Sequence, residues 1–354
     1  MKRITIEEAR ALFEPAAPYL NTASYGLPPR PAWDALQAAL SDWRGGRTSW
    51  EPWAESTARA NELWAGLLGV PVERVATGAT VSELVGLVAA SLKSPSNTVL
   101  QSRQPRVLAA EIEFTSLLWP WLAQGFDVVT VPLTALVDRI DERTDVIAVS
   151  AVQSSTGEIA DLDAIVAAAR SHDALIVLDA TQAIGWLPLD GSRFDAVVGA
   201  GYKWLMSPRG TAWLALGERL ADEVEPLYAG WWGAEDPFTS YYGPPLRLAR
   251  DVRRLANSPA WFSWVGCAPA LELIGDVGVG AIHDHDVRLA NRFRVGLGLP
   301  PSNSAIVSAE VPGAAEKLDR AGIRTSTRAG SLRAAFHMYN DEGDVDAALA
   351  ALTS

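Results

Sequence analysis

The sequence predicts an α/β protein whose main domain is a mostly parallel sheet covered by helices, followed by a smaller α+β domain. Two observations predict it. From about residue 55 onward, short runs rich in Val, Ile and Ala alternate with stretches whose apolar residues recur every three or four positions. After about residue 250 that alternation gives way to a long helical stretch and then to short strands and helices in mixed order. Length agrees with two lobes, because 354 residues exceed what one ordinary core fills.

The apolar runs are RVLAA at 106–110, DVVTVP at 127–132, VIAVSAV at 146–152, ALIVLDA at 174–180, AVVGA at 196–200 and AWLAL at 212–216. Runs of this kind fit strands buried on both faces. DLDAIVAAARSHD at 161–173 has the apolar spacing of a crossover helix. The later part reads as a helical stretch near 260–295, SAIVSAEV, a helix from roughly Gly313 to Ala321, IRTSTRA, LRAAFHMYN and a last helix from Glu342. A large domain is expected over residues 20–245, and a small domain over 246–354 with residues 1–19 packed on it.

Acidic residues outnumber basic ones 42 to 30, a formal charge of -12 that repels phosphate backbones and anionic membrane surfaces. Nucleic acid and membrane are therefore not expected as partners. The start, MKRITIEEARALFEP, lacks the apolar core of a signal peptide, and the cytoplasm is the expected location. One cysteine, Cys267, makes no internal disulfide, and the four histidines form no ligand set. His283 and His285, close together between polar neighbours, read as a solvated helix start.

The chemistry sits in residues 174–205, ALIVLDATQAIGWLPLDGSRFDAVVGAGYKWL. Asp179 ends one buried strand and Lys203 follows the next, and ligands of open parallel sheets bind at such carboxyl ends. A surface lysine is the ordinary reading of Lys203, but Gly201 before it and Trp204-Leu205 after it make a sheltered setting. A desolvated lysine loses its proton more readily and attacks an aldehyde. An aspartate facing a pyridine nitrogen keeps that nitrogen protonated, which makes the ring an electron sink. Together the two residues describe a site for pyridoxal 5'-phosphate.

DATQ followed by a small-residue segment ending in Gly-aromatic-Lys resembles the class V aminotransferase group of fold-type I pyridoxal phosphate enzymes, which includes cysteine desulfurases and kynureninases. The resemblance implies that Lys203 carries the cofactor covalently, Asp179 pairs with the pyridine nitrogen and Gln182 approaches the phenolic oxygen. TGATVSEL at 77–84 resembles the phosphate-binding turn, with Gly78, Ala79 and Thr80 before a helix start that favours an anion. AEIEFTSLLWPW at 110–121 resembles the segment that covers the cofactor, so Phe114 is expected to stack on it, the alternative being a core phenylalanine. Ser154 in VQSSTGE, with Gln153 and Thr156, is expected at a strand end beside the ring. Tyr202 in GYKW and Trp232 in AGWWG resemble kynureninase positions near the phosphate, while Ala200 replaces a serine that many relatives carry. VRRLANSPAWFSW at 252–264 resembles the loop that reaches the partner's phosphate, which implies a homodimer with Ser258 completing the other subunit's site. YLNTASYG at 19–26 resembles the family's opening segment, placing Asn21 and Ala23 on the substrate side.

LRAAFHMYNDEGDVDAAL at 332–349 resembles the family's closing pattern and makes Arg333 the ligand of a substrate carboxylate. The alternatives are an exposed arginine paired with Asp341 or Glu342, with Arg324 or Arg328 as the carboxylate ligand. The loop GIRTSTRAG lacks the cysteine that desulfurases use, and Cys267 lies in an apolar helical stretch, so persulfide transfer is not expected. The expectation is an amino-acid enzyme, an aminotransferase first, with a β-eliminating or kynureninase-like lyase or an epimerase behind it. A nicotinamide dehydrogenase is disfavoured because Gly275, Gly278 and Gly280 have the wrong spacing and place. A non-catalytic protein of this fold is disfavoured by the intact Asp179, Gln182 and Lys203.

Overall fold

The computed structural model describes residues 3–100 and 104–353; the first two residues of the expected amino-terminal segment and Ser354 lie outside them. The chain opens with α1 (Ile6–Arg10), whose start is fixed by a Thr5/Glu8 capping box. It continues through α2 (Arg30–Arg44) and α3 (Glu51–Leu68), which Gly69 ends in the left-handed conformation at φ 67°. The sheet region follows as β1 (Val75–Gly78), α4 (Val81–Leu92), β2 (Arg106–Ala110), α5 (Thr115–Ala123), β3 (Asp127–Val131), β4 (Val146–Ser150), α6 (Leu162–Ser171), β5 (Leu175–Asp179), β6 (Ala196–Ala200) and β7 (Ala212–Leu216). Then come α7 (Glu218–Ala221), α8 (Trp261–Val277), α9 (Val279–Gly296), β8 (Ile306–Ala309), α10 (Ala314–Arg320), β9 (Ser326–Arg328), β10 (Ser331–Ala335) and α11 (Glu342–Thr353).

Strands β1 to β7 form one sheet in the order β1-β7-β6-β5-β4-β2-β3. The pairs from β3 across to β6 are parallel, whereas β7 is antiparallel to both β6 and β1. The mostly parallel sheet is thus as expected. The short antiparallel edge β1 is an addition: only Val75 and Ala76 in it are apolar, too few to read as a run. Successive residues of the central strands face opposite cores, as a pleated strand dictates. Ile147, Val149, Ile176 and Leu178 meet α3, α6 and α8 on one side, while Val146, Ala148, Leu175 and Val177 meet α4 and α5 on the other.

A second sheet, β8-β10-β9, packs Val307, Leu332 and Ala334 against Phe293 of α9 and Val345 of α11. The amino-terminal strand segment docks there, with bridges Tyr19 to Arg324 and Asn21 to Ala335. The expected helical stretch near 260–295 is broken, since Gly278 takes φ 89° and bends α8 against α9 by 84°. His283 and His285 consequently lie inside α9 rather than at a solvated helix start. His283 stacks on Trp186 at 6.0 Å, and His285 Nε2 meets the Asn340 carbonyl at 3.0 Å. Among the described residues no single helix is long and apolar enough to cross a membrane.

Candidate active site

Asp179 is the last residue of β5, and in the parallel register it stands opposite Ser150, the last of β4. Lys203 lies just beyond β6, in a turn held tightly. Met206 takes a left-handed φ of 54°, uncommon for a side chain of that size, and its N–H closes on the Lys203 carbonyl at 3.0 Å. The segment at 19–26 is fastened to the same turn, since Gly26 donates to the Tyr202 carbonyl at 2.9 Å. A Cβ on Gly26 would lie 2.0 Å from the Lys203 carbonyl oxygen, so only glycine permits this approach.

A cavity of about 410 Å³ opens here, at the low end of the roughly 300–1,000 Å³ of ligand pockets. Asp179, Lys203, Gln182, Ser154, Tyr202 and Arg333 all line it, joined by Phe114, Ala23, Ala79 and Thr80. The sequence also placed Gly78, Asn21 and Trp232 at the site, and this chain's cavity includes none of them, whereas Ser258 was expected at a partner's site. Gly78 instead serves packing, because a Cβ there would meet Leu84 at 2.7 Å. Asn21 uses its backbone to bridge to Ala335 in the small sheet. Trp232 is buried against Ala54 and Ala256 in a separate aromatic cluster, edge-on to Trp261 at 5.3 Å. The arginines of VRRL hold that region by capping backbone carbonyls, Arg253 on Trp232 and Ala234 and Arg254 on Ala221 and Val224. Ser258 is exposed on the following loop, outside this chain's cavity.

Burial sets the charges. Lys203 is 6% exposed, and desolvation pulls its amine down to about 8 against the pull of Asp179, with Arg333, Arg328 and Arg209 pushing the same way as burial. Among the described residues no acceptor bonds its Nζ, which stands 5.5 Å from the centroid of Phe114 and 5.8 Å from that of Tyr202. Phe114 is 48% exposed as the residue capping α5, so it is not a core phenylalanine. Burial raises Asp179, while bonds from Thr181 and the Lys203 charge oppose that. Gln182 is fully engaged: its Nε2 donates to the Ala23 carbonyl and to Ser154 Oγ, both at 3.0 Å, and its oxygen accepts from Trp204 at 2.8 Å.

Arg333, in the cavity wall, is 1% exposed. It donates to the Ser154 carbonyl at 2.5 Å, to Ser24 Oγ at 2.6 Å and to Ser326 Oγ at 3.1 Å, all neutral acceptors. Asp341 and Glu342 are taken by Arg10 and Arg288, which removes the alternative of an exposed Arg333 ion pair. Arg324 turns outward to Asp319, whereas Arg328 lines the cavity. Gln153 and Thr156 leave it: Gln153 donates to the buried Glu113 at 2.7 Å, and Thr156 accepts from Glu158 in its own turn.

Sequence reasoning missed Ser24, Thr181, Arg209 and, behind the wall, Glu113. Glu113 accepts from the Ser150 N–H at 2.8 Å, Ser150 Oγ at 2.5 Å and Gln153, and desolvation pushes its carboxyl up to about 7. At the start of α4, Thr80 accepts from the Glu83 N–H while the Ala79 N–H is taken by the Glu83 carboxylate at 2.9 Å. The N–H groups open to an anion are those of Val81 and Ser82 in the first turn. These features suit pyridoxal phosphate: a buried carboxylate without a cation bonded to it, a buried lysine whose amine is lowered to about 8, an exposed aromatic face and a helix start.

A lysine and an aspartate facing one cavity at the carboxyl ends of a parallel sheet define a fold-type I pyridoxal phosphate enzyme. The family described as aminotransferase class-V matches residues 75–312, and the chain belongs to that family. It is 26% identical over 84% of its length, and 83% of the relative's, to an uncharacterized aminotransferase of Bacillus subtilis (strain 168). It is 29% identical to an isopenicillin N epimerase of Streptomyces clavuligerus over 81% of this chain and 77% of that one. The fold matches that of a cysteine desulfurase from Thermococcus onnurineus NA1 with a TM-score of 0.83 at 23% identity, covering 99% and 98% of the two chains.

Proposed function

We propose that this enzyme is an aminotransferase of α-amino acids, with Lys203 as the cofactor lysine and proton carrier and Arg333 as the carboxylate ligand. The observation that carries it is the Arg333 guanidinium, buried at the cavity wall with only neutral acceptors and facing the same space as Lys203 and Asp179. A buried guanidinium bonded to no anion supports an anionic ligand, and its planar fork matches a carboxylate.

Pyridoxal phosphate, when bound, supplies the aldehyde that takes up an amine and the ring that accepts the electrons of the Cα–H bond. Lys203, with its amine near 8, is matched to moving a proton at Nζ close to neutral pH. Asp179 would hold a proton on the pyridine nitrogen, and Thr181, whose N–H bonds its carboxylate at 2.8 Å, fixes its orientation. Phe114 would cover the ring face. Val81 and Ser82, with Thr80 and Tyr202, would hold the phosphate. Gln182 would turn one N–H from Ser154 to the phenolic oxygen. We assign Ser258 and the nearby Trp232 region to the contact with a second subunit in a homodimer.

Persulfide chemistry has no support, because the lone Cys267 is buried in α8 and its thiol is pushed up to about 12. The test is turnover with a panel of amino acids and a keto-acid acceptor. Equimolar new amino acid and keto acid supports transamination. Pyruvate with ammonia, or inversion alone, overturns it in favour of elimination or epimerisation.

A further inference from the structure

We propose that the cavity selects amino acids with an anionic side chain, Arg328 taking that second anionic group while Arg333 takes the α-carboxylate. This rests on the reading of Arg333 given above and goes on to name the substrate class.

The cavity carries three guanidiniums, those of Arg209, Arg328 and Arg333, besides Lys203, against the single carboxylate of Asp179. That excess of positive charge stands in a chain whose formal charge is -12, so it is local and concentrated where ligands enter. Arg328 and Arg333 bond only neutral oxygens. Arg328 donates to the Thr327 carbonyl at 2.8 Å and to Ser24 Oγ at 3.3 Å, and Arg333 donates to the same Ser24 oxygen at 2.6 Å. Two cations thus converge on one hydroxyl, an arrangement that repels itself until anions are placed between them.

Arg328 is held at this place by the backbone. It ends β9 opposite Ser331, so the hairpin turn consists of Ala329 and Gly330 alone. Both take left-handed φ values, 48° and 83°, the pattern of the tight turn that suits a right-twisted hairpin. Ala329 accepts a conformation that costs a residue with a Cβ, which marks the turn as constrained. The three arginines then divide among three anionic groups. Arg209 lies over the ring of Tyr202 at 4.8 Å, beside the proposed phosphate partner. Arg333 lies deepest, and Arg328 is exposed at the rim, where a side chain extending away from the cofactor would end.

The test uses the holoenzyme and pairs of nearly identical shape: L-glutamate against L-glutamine, and L-aspartate against L-asparagine. At least one acid should exceed its amide in kcat/KM by tenfold or more. Arg328→Gln should lower that acid-to-amide ratio at least tenfold, and Arg328→Lys should restore part of it. Calorimetry adds a readout free of turnover: glutarate or succinate should bind at least tenfold more tightly than butyrate, and Arg328→Gln should erase the difference. Amides turned over as well as acids, equal binding of mono- and dicarboxylates, or an equal loss for both members of a pair in Arg328→Gln would each overturn the proposal. Those outcomes leave the Arg333 reading standing, whereas failure of butyrate and glutarate alike to bind would overturn Arg333 as well.

Discussion

His337 Nδ1 stands 3.0 Å from Asp286 Oδ2 while its Nε2 meets the carbonyl of Trp204, the residue after Lys203, also at 3.0 Å. A carbonyl only accepts, so Nε2 carries the hydrogen of that contact, and Nδ1 faces the Asp286 carboxyl. Both side chains are wholly buried. The pair therefore ties α9 and the end of the small sheet to the lysine turn.

Breaking one member of a buried pair leaves the other uncompensated. His337→Ala is expected to cost about 3–5 kcal/mol in urea unfolding. The variant pair His337→Ala and Asp286→Asn should be strongly non-additive in a double-mutant cycle. A loss under 1 kcal/mol for His337→Ala would show that the contact is incidental.

Glu113 gives a pH dependence with an unusual sign. Its folded carboxyl is raised from 4.5 to about 7, so the folded protein holds the proton more tightly than the unfolded chain. The stabilisation is complete below 4.5 and is lost as pH rises through 7. Relative to Glu113→Gln, which cannot titrate, the holoenzyme should lose roughly 2–3 kcal/mol between pH 5 and 8 in denaturant unfolding. A difference that is flat with pH would remove Glu113 as a buried titrating acid.

The sheet was legible because its strands are buried on both faces: RVLAA, AVVGA and AWLAL match β2, β6 and β7 residue for residue. Direction was not, since nothing in AWLAL says that β7 runs against β6. Lys203, Asp179, Gln182 and Phe114 were legible because a motif at strand ends fixes where side chains go. Ser24 and Thr181 gave no signal, being small polar residues whose role comes from what folds against them. Glu113 was hidden in AEIEF, where it reads as a surface acid until Ser150 and Gln153 are seen donating to it. With 14 tryptophans in the chain, nothing in AGWWG said that Trp232 would pack against Ala54 and Ala256 outside this chain's cavity.

Lys203 should react as a lysine with a pKa near 8. With apoprotein and added pyridoxal phosphate, the attachment rate should rise about tenfold per pH unit below 8 and level off above it, because only the neutral amine attacks. Borohydride should then fix the cofactor to the peptide containing Lys203 and to no other lysine. A rate still climbing beyond pH 10 would describe an ordinary exposed lysine and remove the sheltered one.

Arg333→Lys tests the carboxylate clamp. Lysine keeps one positive charge but loses the fork, and the guanidinium here also spans Ser154, Ser326 and Ser24, bonds a single ammonium cannot all reproduce. Losing a charge-assisted bond to the carboxylate corresponds to about tenfold or more in affinity. The Michaelis constant for α-amino acids should therefore rise by that factor, while the visible absorbance of cofactor held on Lys203 stays as in the parent enzyme. The decisive comparison is an amino acid against the amine with the same side chain and no carboxylate. A loss confined to the amino acid assigns Arg333 to the carboxylate. Equal losses for both, or a loss of cofactor absorbance, would make Arg333 a brace between Ser154 and Ser24 and reopen the substrate class to simple amines.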